Sequence, residues 1–278
     1  MALPRLCALI DPSADGPAWT RPWLEQVLAA HIATAAPGEE GVAEAAADAC
    51  AVRGWSVGAV VGNETLVQSR PIARARDESP IDDMLRTKTR CVLAALSPHS
   101  TATSPAPPPR ISRFRRWIGV RAEASLEPEL RAQLVAALPD FLARTQTQPT
   151  DGDLVFLTFL GHLHGQGGLS ATYDPPSRVL AALHAVDEQL SERSPHHLLV
   201  TDGRTLGMVH RGDTLLAFDP PEDLPQPRGR LTSPQAQTAK LLVFRPGAPP
   251  PTPVAGAERI ADGMFTIETR APGVILRQ

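Results

Sequence analysis

The stretch Met1-Ala2-Leu3-Pro4-Arg5-Leu6-Cys7-Ala8-Leu9-Ile10 decides how this 278-residue chain is read. Its apolar part predicts a short strand over residues 5–10. It also places a cysteine near the amino terminus, but not at it. A cysteine at the terminus itself can attack a carbonyl while its own α-amino group manages the proton. Cys7 is therefore open to two readings. It is such a nucleophile, uncovered by removal of the first six residues, or it is a small apolar core residue.

Composition narrows the classes outward from there. The net charge is −3, which leaves no nucleic-acid footprint. The most basic stretch holds Arg110, Arg113, Arg115 and Arg116, a solvated strand-end patch with a local anion or partner site as the alternative. Cys7, Cys50 and Cys91 are odd in number, widely spaced and without a Cys-x-x-Cys pair. Neither a disulfide framework nor a zinc site is expected, and a reduced, cytoplasmic setting fits. No signal peptide and no membrane-spanning run are expected. Aromatic residues make up 4% of the chain, so the core must rest on Leu, Val, Ala and Ile. Proline clusters near 104–110, 219–228 and 246–253 predict extended loops inside a single domain over 1–278. Arg- and Ala-rich, Lys-poor usage points to a GC-rich source genome.

The element pattern is mixed. Helices are expected over 23–35 and 41–52, then a hairpin of strands 54–61 and 64–69 around Gly62-Asn63. Ser79-Pro80 opens a helix, and strands follow around Val92 and over 114–120. Helices come next over 128–142, 154–164 (capped by Thr150-Asp151-Gly152-Asp153 and stopped at Gly165) and 175–191. Strands over 197–201, 205–209, 214–218, 239–244, 263–269 and 273–276 close the chain, with Asp202-Gly203 as a tight turn. Antiparallel hairpins and separate helical runs define an α+β layered fold rather than a doubly wound parallel sheet.

Seven of these pieces, in order, resemble the class II glutamine amidotransferase domain. Arg5-Leu6-Cys7-Ala8-Leu9 looks like the stretch after that family's nucleophilic cysteine, and Gly54-Trp55-Ser56-Val57-Gly58 like its Asp-Gly-x-Gly-x-Gly strand. Val92-Leu93-Ala94-Ala95-Leu96-Ser97 looks like a strand ending Ala-His-x-Arg. The strand from Arg116-Trp117 to Glu123 resembles the one leading to His-Asn-Gly. Thr150-Asp151-Gly152-Asp153 resembles Thr-Asp-Ser-Glu before a helix. Leu198-Leu199-Val200-Thr201-Asp202-Gly203 resembles a late hairpin, and residues 258–267 a final strand, of the small amidotransferases of this kind. The resemblance implies a four-layer αββα sandwich of two antiparallel sheets between helices, the N-terminal-nucleophile hydrolase fold.

Glutamine hydrolysis in that family needs a terminal thiolate, an oxyanion hole made by Asn and a Gly amide, an arginine for the substrate carboxylate and an aspartate for its amino group. In the matching positions here stand Pro4 for the nucleophile, Arg121-Ala122-Glu123 for His-Asn-Gly, Ser97 for the arginine, and Asp151 for the aspartate, which alone is kept. Proline cannot attack, alanine donates nothing, and Glu123 would put negative charge beside an oxyanion. The resemblance thus implies a relic pocket of Pro4, Ser97, Arg121, Ala122, Glu123 and Asp151 and no expected catalytic residue, with Cys7 the exception after processing. Arg121 and Glu123, two apart on a strand, would share a face and line it.

Other candidates read more simply. His162 and His164 sit at a helix end, with His184, His196 and His197 later, and no metal or other cofactor is expected. Asp151 and Asp153 read as first-turn helix residues. The expected role is an inactive amidotransferase-like binding, scaffold or regulatory module with a protein partner, and no nucleic acid or membrane. The alternatives are an amide hydrolase using processed Cys7 and a non-catalytic subunit of a hetero-complex.

Overall fold

A computed structural model describes residues 5–10, 54–71, 82–84, 89–97, 110–123, 125–145, 148–169, 173–190, 196–212, 214–218, 240–245, 257–260, 262–268 and 275–277. The helices expected over 23–35 and 41–52, the three proline-rich stretches, Pro4 and Cys50 lie outside these residues.

Two antiparallel sheets stack face to face. The first holds β1 (Arg5–Ile10), β2 (Gly54–Val61), β3 (Glu64–Pro71), β4 (Cys91–Ser97), β9 (Thr214–Phe218), β10 (Lys240–Arg245) and β11 (Ala257–Ile260), in the order β11-β9-β10-β1-β4-β2-β3. The second holds β5 (Ser112–Phe114), β6 (Trp117–Glu123), β7 (His196–Thr201), β8 (Thr205–Arg211), β12 (Gly263–Glu268) and β13 (Ile275–Arg277), in the order β13-β12-β8-β7-β6-β5. Strand β1 is central in its sheet, which is why the opening stretch is apolar on both faces.

The strands' period of two separates the layers. Leu6, Ala8, Leu93 and Ala95 of the first sheet meet Ile118, Val120, Ala122, Leu199 and Met208 of the second between the sheets. The alternate residues of the second sheet, Trp117, Leu198, Val200 and Val209, face helices α1 (Pro128–Ala137), α2 (Asp140–Ala143), α3 (Asp151–Gly165) and α4 (Pro176–Leu190). Close approach is bought with glycine. A Cβ on Gly119 would stand 2.4 Å from Phe156 of α3, and one on Gly207 2.8 Å from Val179 of α4. On the outer face of the first sheet Trp55, Ala94 and Leu96 are buried too. There the indole of Trp55 donates to Asp83 (3.1 Å), in the helical turn 82–84. The two stacked sheets and the helices are those of the expected α+β sandwich.

Three expectations need correction. The helix predicted over 128–142 is two helices, because Pro139 cannot continue the first and drives Leu138 to extended backbone. The strand predicted over 114–120 is the hairpin β5–β6, turning at Arg115-Arg116 without any Gly, Asn or Pro to mark it. The final strand expected over 258–267 is two strands, β11, which pairs with β9 at the edge of the first sheet, and β12, which pairs with β8 in the second.

Candidate functional site

The opening strand fixes the environment of Cys7. Its backbone pairs with Ala94 of β4 on one side and Val243 of β10 on the other. The side chain is fully buried, and burial pushes the thiol up to about 12 from 9.0. Thiolate is the reactive form, so this is the environment of an inert core cysteine. Cys91 is equally buried and also pushed up to about 12 by burial, against a hydrogen bond from Thr201 that lowers it.

Of the relic-pocket positions, the side chains of Arg121, Ala122 and Asp151 are among the described residues. Ala122 is buried between the sheets, opposite His197 of β7. Arg121 is on the other face of β6, toward the helices, where its Cβ comes within 3.8 Å of the Cβ position of Gly152. Burial pushes the Arg121 guanidinium down to about 9, against the opposing pull of Asp151. Arg121 and Asp151 are therefore brought together, and Ala122 is set apart from them by the strand's alternation. Ser97 ends β4 opposite Gly54, and Glu123 ends β6 opposite His196. Pro4 precedes the described residues.

Asp151 is committed locally. It accepts the Leu126 N–H (2.9 Å) and forms an ion pair with Arg131 of α1. Thr150 and Asp153 form a reciprocal capping box, Thr150 Oγ1 accepting the Asp153 N–H at 3.1 Å and Asp153 accepting the Thr150 N–H at 3.1 Å. Ser112 Oγ also donates to Asp153 (2.7 Å), which ties the helix start to β5. The aspartate pair read as a helix start is that, with each carboxylate reaching into a neighbouring element.

Sequence reasoning missed a histidine chain at the same end of the second sheet. His197 and His210 face each other across β7 and β8, Nδ1 to Nδ1 3.2 Å, with rings stacked at 5.1 Å, and both are buried. His210 Nε2 reaches Asp262 Oδ1 at 3.3 Å. An Nδ1-to-Nδ1 bond needs one ring to donate and the other to accept. On the helix side of the same strands, His196 Nε2 and Arg211 Nε reach Asp187 Oδ1 of α4 at 3.1 and 3.0 Å. Burial works to raise the Asp187 pKa, but Arg211 and His196 together hold it below the usual carboxylate range. Strand register pairs His196 with Arg211 and His197 with His210, and the packing of α4 brings Asp187 to the first pair. No sequence spacing marks them.

His162 and His164 lie in the last turn of α3, as expected, with His164 against the Phe141 ring at 4.8 Å. Among the described residues no group of three or more His, Cys, Asp or Glu is arranged to hold a metal ion. Also among them, no helix is long and apolar enough to cross a membrane.

Solved structures place this architecture. A glutamine aminotransferase class-II domain protein from Silicibacter pomeroyi superposes with a TM-score of 0.50 at 14% identity, over 95% of this chain and 94% of the other. A predicted glutamine amidotransferase from Pseudomonas aeruginosa gives 0.49 at 12% identity, over 99% and 96%. The glutamine phosphoribosylpyrophosphate amidotransferase of B. subtilis gives 0.46 at 9% identity, and the match spans 47% of that longer chain. No protein-family model and no curated protein sequence matches the chain. At these identities the likeness is one of fold, and the first superposition carries it. The chain has the N-terminal-nucleophile hydrolase fold of class II glutamine amidotransferase domains.

Proposed function

We propose that this chain keeps the amidotransferase fold without its chemistry and acts as a non-catalytic binding module, with a protein as partner. The observation that carries the reading is Cys7: a buried thiol, unionised at neutral pH, in the middle of the central strand. Freeing Cys7 as a terminus would remove Arg5 and Leu6, whose backbones pair with Leu96, Ala95 and Phe244. It would unmake the start of the strand that holds the sheet together. The substitutions around it favour the same reading. Ala122 lacks the side-chain donor of an oxyanion hole, and losing one such donor costs roughly 100- to 1000-fold in rate. Asp151 is tied to Arg131 and Leu126 instead of standing open to a substrate amine.

The test is hydrolysis of glutamine and of a γ-glutamyl anilide by the full-length protein beside its Cys7→Ala variant. The expected result is no turnover above the buffer rate for either protein. Turnover that disappears in Cys7→Ala would overturn the proposal in favour of a processed amide hydrolase.

A further inference from the structure

The buried histidine pair has the geometry of a chelate. His197 and His210 stand directly opposite each other on β7 and β8. By the strands' alternation they share the inter-sheet face with Leu199 and Met208. Backbone pairing therefore fixes where the two rings meet, with their Nδ1 atoms 3.2 Å apart. That separation admits a hydrogen bond, and it is also the bite of a metal site. Two nitrogens at about 2.0–2.1 Å from one tetrahedral zinc ion stand roughly 3.3 Å apart. A second observation points the same way. His210 Nε2 lies 3.3 Å from Asp262 Oδ1, and the Gly212 N–H fixes the other oxygen of that carboxylate at 3.0 Å. The carboxylate favours the ring proton on Nε2, which leaves the lone pair of neutral His210 on Nδ1, facing His197. A carboxylate behind one nitrogen, with the other nitrogen left as a donor, is how metal-ligating imidazoles are oriented. His196 next door differs, because its Nε2 is turned to Asp187, which Arg211 already holds.

We propose that His197 and His210 chelate one divalent transition-metal ion of the zinc type through their Nδ1 atoms, with Asp262 orienting His210 from behind. Imidazole nitrogen suits zinc, nickel and copper rather than magnesium or calcium. Two nitrogens make an open chelate, not the closed four-ligand cage of a structural zinc site, so the affinity is modest and a chelator reverses it. Asp262 is half-exposed, which sets His210 one side chain from solvent. The ion would bridge β7 and β8 and stabilise the folded chain by binding it alone. The proposal does not depend on whether amide hydrolysis has been lost.

The test uses the full-length protein, stripped with EDTA, dialysed and titrated with zinc chloride. Calorimetry should show a site filled by one zinc per chain, and Tm should rise with zinc and fall back with EDTA. The ¹⁵N resonances of the imidazoles read the ligand atoms in the unmutated protein. Nδ1 of His197 and of His210 should shift on zinc binding, and Nε2 of His210 should stay protonated. His210→Gln should abolish that site. Asp262→Asn, which alters a half-exposed side chain, should weaken zinc about 10- to 100-fold. A His162→Gln/His164→Gln variant, altered at the end of α3, should bind zinc as the wild type does. No zinc binding, zinc binding that leaves the His197 and His210 nitrogens unshifted, or wild-type affinity in His210→Gln would overturn the proposal.

Discussion

At the scale of single residues, the chemistry of Cys7 follows from burial alone. With a pKa near 12, about one thiol in ten thousand is ionised at pH 8. Cys7 and Cys91 should therefore resist a thiol-labelling reagent in the folded protein at that pH and react fully in denaturant. The raised pKa also has a consequence for stability. A thiol whose folded value lies above its unfolded value of 9.0 contributes fully below pH 9. That contribution is lost as pH rises toward 12, at about 1.4 kcal/mol per pH unit in this window. Arg121, pushed down to about 9, acts with the opposite sign, so the comparison must be with Cys7→Ala. At pH 7 this variant should be less stable by about 1 kcal/mol, the cost of a small core vacancy. Urea midpoints should show that deficit shrinking and reversing above pH 9. A deficit independent of pH would mean that Cys7 is not buried as a neutral thiol.

At the scale of elements, the helices are held to the second sheet by shape at glycines and by caps. Gly119→Ala drives a methyl into the Phe156 ring on α3 and should cost about 1–3 kcal/mol, read as a lowered urea midpoint. Thr150→Ala removes the cap of α3 and should cost about 1 kcal/mol. If Gly119→Ala were neutral, α3 would not pack on β6 as described.

What the sequence showed of these elements depended on local signals. Thr150-Asp151-Gly152-Asp153 announced its helix because capping is a local hydrogen-bond pattern. The β5–β6 turn was illegible because Arg115 and Arg116 are not turn formers. Its geometry is imposed by pairing with β6 and by the bond from Arg115 to the Leu169 carbonyl. Pro139 is a local signal for the break between α1 and α2, but the apolar residues on either side of it read as one helix over 128–142. In the candidate site, Cys7 and Asp151 were legible as residues. The alternation that separates Ala122 from Arg121 becomes meaningful only once each face of β6 has a partner. His197, His210 and Asp262 share no sequence spacing at all, and register alone assembles them.

At the scale of the whole molecule, the described sandwich is stabilised by apolar layers between the sheets and between the second sheet and its helices. Neither layer needs the family's catalytic residues. A fold of this kind can lose its nucleophile, oxyanion donor and carboxylate clamp and still retain its layers, because catalysis and packing use different side chains. The measurement that tests this most directly combines the intact mass of natively expressed protein with glutamine hydrolysis assayed on the same sample. The account predicts a chain still beginning at Met1 or Ala2, with no glutamate released above the buffer rate. A mass that begins at Cys7, together with glutamate release abolished in Cys7→Ala, would contradict it.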